Sequence, residues 1–347
     1  MRRFAILILL VGSLIMPVGA TEYTAPQPPQ DAVELMPVQK ESFGQGLWEI
    51  VKNAVGKLQP NLATACRTCL SLICVVLLVS VLNGLSDKNK TVLSLAASLG
   101  VGSILIGSTN TFVDLGVQTV QQLSEYGKLL LPVLTASLAA QGGATTSAAL
   151  YVGTMAFDTI LSAALAKLLV PMIYAYIVLS VANSALSEDV LGKIRDFIKW
   201  LMTWILKIAL YVFTGFMAVT GVVSGTTDAM ALKATKLTIS GMVPMVGGIL
   251  SDASEAVLVG AGLMKNAVGI YGLLAVLAIW ISPFLQIGVQ YLLLKITAAI
   301  CETFGVKKAS GLIDNFSVAI GFLMAVTATI CFMLFVSTIC FMKGVSQ

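Results

Sequence analysis

Apolar side chains fall along this chain in long uninterrupted runs separated by short polar joints. Six runs stand out: Leu62 to Leu85, Thr91 to Val113, Leu161 to Leu186, Ile198 to Val223, Ala267 to Leu294 and Phe316 to Met342. A helix needs about twenty apolar residues to cross the roughly 30 Å of hydrocarbon in a bilayer, and each run is long enough. The pattern predicts an all-α, polytopic integral membrane protein with about six spanning helices. Two shorter apolar pieces, Leu129 to Ala140 before Gln141-Gly142-Gly143 and Gly241 to Leu250 before Ser251-Asp252, read as re-entrant or interfacial segments.

The polar joints divide the chain. Arg2 and Arg3 precede an apolar stretch from Phe4 to Met16, then Pro17 and the small-residue ending Val18-Gly19-Ala20, which is the layout of a secretory signal peptide over residues 1–20. Cleavage after Ala20 and an uncleaved anchor both remain open, and either starts residue 21 outside the cytoplasm. Residues 21–61 form an extracytoplasmic lead, Pro-rich at first. It ends in a helical pattern over 43–58 that places Phe43, Leu47, Ile50, Val51, Ala54, Val55 and Leu58 on one side. That helix has two readings, one lying on the membrane surface and one packed on the bundle. Residues 62–347 are the multi-span membrane domain. Pro132 and Pro171 are 39 residues apart, as are Pro244 and Pro283, so an internal repeat over 91–197 and 198–342 is a further expectation.

Composition agrees with the runs: 57% of residues are hydrophobic and 11% charged, against about 25% charged in soluble domains. Charge then orients the spans. With an outside start, six spans put Lys88, Lys90, Lys193, Arg195, Lys199, Lys295, Lys307 and Lys308 in cytoplasmic loops, while Lys128, Lys233, Lys236, Lys265 and Lys343 fall outside. This obeys the positive-inside tendency better than a model in which both short pieces also span. The net charge of +4 sits in loops between apolar runs, which is not how nucleic acid is gripped.

Histidine is absent, which removes Ser-His-Asp and Cys-His catalysis and His-ligated metals together. Neither a Walker A sequence nor GxSxG occurs. Cys66 and Cys69 form a CxxC with no second pair, and the other cysteines lie mostly in apolar runs, so small packing residues are expected and not a redox or metal pair. No enzyme activity, cofactor or metal is expected.

Ionisable residues in or beside apolar runs are the natural candidates, because a charge in hydrocarbon costs about 2.5 to 3.5 kcal/mol on the mildest scales. The intramembrane polar candidates are Asp158, Lys167 and Lys207. Asp158 and Lys167 are nine residues apart and do not face each other along one helix. A second group combines Pro244, Gly247 and Gly248 with Asp252 and Glu255: the proline and glycines weaken a helix, and the two acids follow three residues apart, on one helical face. This is a candidate conduit or gating segment. The alternative is that it lies at the water interface with its acids solvated. Asn83, Asn110, Asn183, Gln286, Gln290 and the GxxxG of Gly221 to Gly225 offer interhelical contacts.

The stretch Gly241-Met242-Val243-Pro244-Met245-Val246-Gly247-Gly248-Ile249-Leu250-Ser251-Asp252-Ala253-Ser254-Glu255, continuing through Val257 to Gly262 and Lys265 to Gly269, resembles the stage III sporulation protein AE family of endospore-forming bacteria. The resemblance implies a membrane subunit of the channel or secretion complex between mother cell and forespore, in the mother-cell membrane facing the forespore. It implies as partners the other subunits of the stage III sporulation A complex, including its ATPase, and a forespore protein across the intermembrane space. It transfers no catalytic residue. The competing function is an autonomous secondary transporter for a small solute, which draws on the possible repeat and the broken short helices.

Overall fold

A computed structural model describes residues 25–37, 43–85, 90–138, 144–185, 190–219 and 267–344. Within them the chain is helical. Two short helices, α1 (Gln30–Val33) and α2 (Phe43–Gly56), precede six long ones: α3 (Gln59–Leu85), α4 (Lys90–Leu138), α5 (Ala144–Ala185), α6 (Val190–Val219), α7 (Ala267–Thr303) and α8 (Lys307–Gly344). Each of the six is long and apolar enough to cross a membrane. The signal-peptide region and the segment from Gly241 to Gly262 lie outside the described residues.

α8 is the centre. Along its apolar stretch 89% of the residues are buried, against 22% for α3 and for α6. A helix that is apolar all round has to be enclosed, and here α4, α5 and α7 enclose it, while α3 and α6 form the periphery. α7 and α8 make a hairpin. Gly305 turns it, at a φ of +79°, where a Cβ would be strained. The amides of Phe304 and Gly305 bond back to the carbonyls of Cys301 and Glu302, closing the end of α7.

The amphipathic helix expected at 43–58 is α2, which ends at Gly56 and packs on the bundle; Val55, expected on the apolar side, is exposed. Phe43, Gly46, Ile50 and Ala54 are buried, with Gly46 set so close to Leu274 of α7 that a Cβ would stand 2.8 Å from a leucine methyl. Glu34 and Lys57 form an ion pair at 2.5 Å between the α1 end and the residue after α2.

The piece Leu129 to Ala140, expected as a separate short segment, is continuous through Leu138 with the preceding span as one 49-residue helix, α4. The stretch that links them is polar yet keeps helical spacing, burying Val113, Val120, Leu123, Tyr126 and Leu130 on one side. Pro132 lies inside the helix, where it removes one hydrogen bond at a cost of about 3 kcal/mol. Burial of Leu130, Leu131 and Leu134 around it offsets this.

At 1.5 Å per residue α4 is about 73 Å long, more than twice the thickness of the hydrocarbon. Its exposed face changes along the way. Val92, Leu99 and Ile106 face outward in the first half, and Asp114, Gln118, Gln121, Glu125 and Lys128 in the second. Apolar exposure suits lipid and polar exposure suits water, so α4 leaves the hydrocarbon near Asn110 to Asp114. The far half still belongs to the bundle: every residue of α7 from Gly272 to Ile281 is buried there, and the Tyr126 hydroxyl donates to the Pro26 carbonyl at 3.3 Å.

Candidate functional site

α4, α5 and α8 converge on a cavity of about 20 Å³ in the far half of the bundle, lined by Gly127 and Lys128, by Met155 and Asp158, and by Met333 and Leu334. That is room for one water. Asp158 is the acid the sequence singled out. Its Oδ2 accepts a hydrogen bond from the Ser337 hydroxyl of α8 at 2.9 Å, and its Oδ1 is buried with no partner. One turn earlier on α5 the buried Thr154 hydroxyl also has none. A carboxylate held by one serine is incompletely satisfied, and the neighbouring cavity places it within reach of a small polar guest.

Lys167 is not brought to Asp158. It is exposed further along α5. The basic residue that shares the cavity is Lys128, which sequence reading placed in an outer loop. The signal was there in outline: Lys128-Leu129-Leu130-Leu131-Pro132 and Lys167-Leu168-Leu169-Val170-Pro171 are near copies. In each the proline frees the carbonyl of the lysine four residues earlier. Lys207 lies on α6, its ammonium 5.8 Å from the centre of the Trp204 ring. Pro244, Gly247, Gly248, Asp252 and Glu255 lie outside the described residues, as does Gly221 to Gly225.

A second cleft, of about 290 Å³, opens between α1, α4 and α7, with Gln118, Gln122, Ser282 and Gln286 among its lining and Leu35 and Ile279 on its apolar side. Gln286 donates to Ser282 at 3.2 Å. At the other end of the bundle a layer of polar contacts ties five helices together. Ser98 and Ser184 share a hydrogen bond at 2.8 Å, Ser184 donates to the Lys308 carbonyl, Ser80 to the Phe304 carbonyl and Tyr176 to Asn315. Lys295 pairs with Asp314 at 2.5 Å. Sequence reading missed this layer because single serines in apolar runs carry no periodic signal. No disulfide joins any of the six cysteines, and among the described residues no cluster of three metal-ligating side chains occurs.

A bundle of six long apolar helices around an enclosed central one, with its buried polar groups gathered in interhelical contacts and small cavities, defines a multi-pass integral membrane protein. A family model described as Stage III sporulation protein AE matches residues 32–344, and the chain belongs to that family. It is similar to the Stage III sporulation protein AE of Bacillus subtilis (strain 168), with 23% identity over 253 residues, which are 72% of this chain and 63% of that protein. The match thus spans less than two-thirds of that relative. No solved structure matches.

Proposed function

We propose that this chain is a membrane subunit of the channel or secretion complex that joins mother cell and forespore during endospore formation. It sits in the mother-cell membrane facing the forespore. Its partners are the other stage III sporulation A subunits with their ATPase, and a forespore protein across the intermembrane space. Family membership supports the sporulation role. The observation that carries the rest is the length of α4 and the change of its exposed face from Val92, Leu99 and Ile106 to Asp114, Gln118, Gln121 and Glu125. If the basic loops are cytoplasmic, that half of the bundle projects on the outer side, where partners from the opposite membrane are met. No Walker A sequence is present, so any energy from ATP comes from a partner.

The segment carrying Pro244, Gly247, Gly248, Asp252 and Glu255 we assign to forming or closing the conduit. A proline followed by paired glycines cannot be left facing lipid with unpaired backbone groups. Photo-crosslinking from Gln118, Gln121 or Glu125 during spore formation tests the assembly. Crosslinks to other sporulation proteins are expected, and a chain that crosslinks to none while moving a solute alone would establish the transporter reading, which the buried Asp158 carboxylate favours.

A further inference from the structure

We propose that the outward face of α6 binds anionic phospholipid headgroups in the leaflet that meets the N-terminal end of this helix. Lys193, Phe197, Trp200, Trp204 and Lys207 follow one another at steps of four, three, four and three residues, a single line down a helix. The rings are exposed, at 58%, 53% and 43%. They also touch in series, with ring centres 5.8 Å apart for Phe197 and Trp200 and 5.9 Å for Trp200 and Trp204. The opposite face is committed to the bundle through Met202, Leu206, Ala209 and Phe213, all buried. Among the described residues α6 packs on α5 and over a shorter stretch on α8, and neither covers the aromatic line.

Charge and geometry name the occupant. Helical side chains lean toward the N-terminus, and the Lys207 amine accordingly lies over Trp204, the residue one turn before it. Its charge is drawn back from the hydrocarbon to the level of the indoles, toward Lys193 and Lys199, both exposed. The one acid within α6 is Asp196, which Arg195 takes up with two hydrogen bonds of 2.9 and 2.8 Å. Glu188 and Asp189 come before the helix in the sequence and lie outside the described residues. What remains is a comb of three lysines set around two neighbouring indoles tilted at 55° to each other. Indoles settle at headgroup depth, and lysines near a membrane surface attract anionic lipid. A protein partner would need an apolar strip threaded with acids at that depth; a phosphate headgroup with its acyl chains supplies both parts.

The test uses the full chain in phosphatidylcholine vesicles containing phosphatidylglycerol, with bromine on the acyl chains of one lipid or the other at equal mole fraction. The emission lost on Trp200→Phe with Trp204→Phe identifies the signal of this pair. Brominated phosphatidylglycerol is expected to quench it several-fold more than brominated phosphatidylcholine. Removing Lys193, Lys199 and Lys207 together as K193Q, K199Q and K207Q should bring quenching by the two lipids to near equality, while quenching by phosphatidylcholine persists. Equal quenching of the unaltered chain by the two lipids overturns the proposal. No quenching by either also overturns it and shows the stripe to be covered by protein.

Discussion

The contact between Asp158 and Ser337 links helices 179 residues apart in sequence, and it shows how one hydroxyl can decide the cost of a buried carboxylate. Ser337 is fully buried, so Ser337→Ala would leave both carboxylate oxygens without a donor. An unsatisfied buried group costs about 1–3 kcal/mol, more when charged. The expected result is a loss of that order in thermal or denaturant stability. The same change in an Asp158→Asn background should cost less, and equal losses in both backgrounds would show that the hydroxyl does not support the charge. At the surface the pair of Glu34 and Lys57 makes a pH-dependent claim. The hydrogen bond from Lys57 and then its charge hold the Glu34 carboxyl below its ordinary 4.5. A depressed carboxyl contributes stability that is full at neutral pH and is lost as pH falls through the lowered value. Protection of α2 amides, relative to their intrinsic exchange rate at each pH, is therefore expected to fall below pH 4.5 in the unaltered chain, and Glu34→Gln should remove that step. Because the pair is exposed, the effect is small.

Between elements, α4 and α8 run parallel and interlock at a repeat. Gly116 and Gly127 are eleven residues apart, as are Leu323 and Leu334, and each glycine receives one leucine so closely that a Cβ would meet its side chain. An eleven-residue period keeps one helical face in register over a long distance, which suits helices of 49 and 38 residues. Gly116→Leu is expected to overpack the joint by about 1–3 kcal/mol and lower the amount of folded protein, while adding Leu323→Ala should recover part of it. If the double variant is no better than the single, the two residues are not in contact. The six spans were legible from run length alone because hydrocarbon tolerates little else. Where α4 ends was not, since Asp114 to Lys128 reads as a loop to any measure of hydropathy. Its buried residues at Val113, Val120, Leu123 and Tyr126 carry the helical signal only once α8 is there to receive them. Asp158 was legible as a lone acid in an apolar run. Its partner Ser337 was not, because nothing local distinguishes that serine from others, and Lys128 was hidden by the same polar stretch that concealed the helix.

For the molecule as a whole, α4, α5, α7 and α8 contain 49, 42, 37 and 38 residues, and a bilayer needs only about twenty of each. Tilting accommodates a few residues of excess at modest cost. It does not hide Asp114, Gln118, Gln121, Glu125 and Lys128, which lie exposed over four turns of one helix and would cost about 2.5 to 3.5 kcal/mol for each charge at the bilayer centre. The polar face of α4 from Asp114 to Lys128 therefore belongs in water or against polar protein. The side on which it stands is an expectation from the positive-inside tendency, with Lys193 and Lys308 cytoplasmic and the polar half of α4 opposite. Replacing the six native cysteines and then introducing single ones at Lys193, Lys308, Gln121 and Glu125, all exposed, makes both statements measurable. An impermeant thiol reagent added to intact cells is expected to label the cysteines at Gln121 and Glu125 and to reach those at Lys193 and Lys308 only after the membrane is opened. Labelling of Lys193 or Lys308 from outside would invert the topology and remove the contact across the intermembrane space. Protection of Gln121 and Glu125 before and after opening would put the polar face of α4 against protein, as the lining of an assembled conduit and not as a free projection.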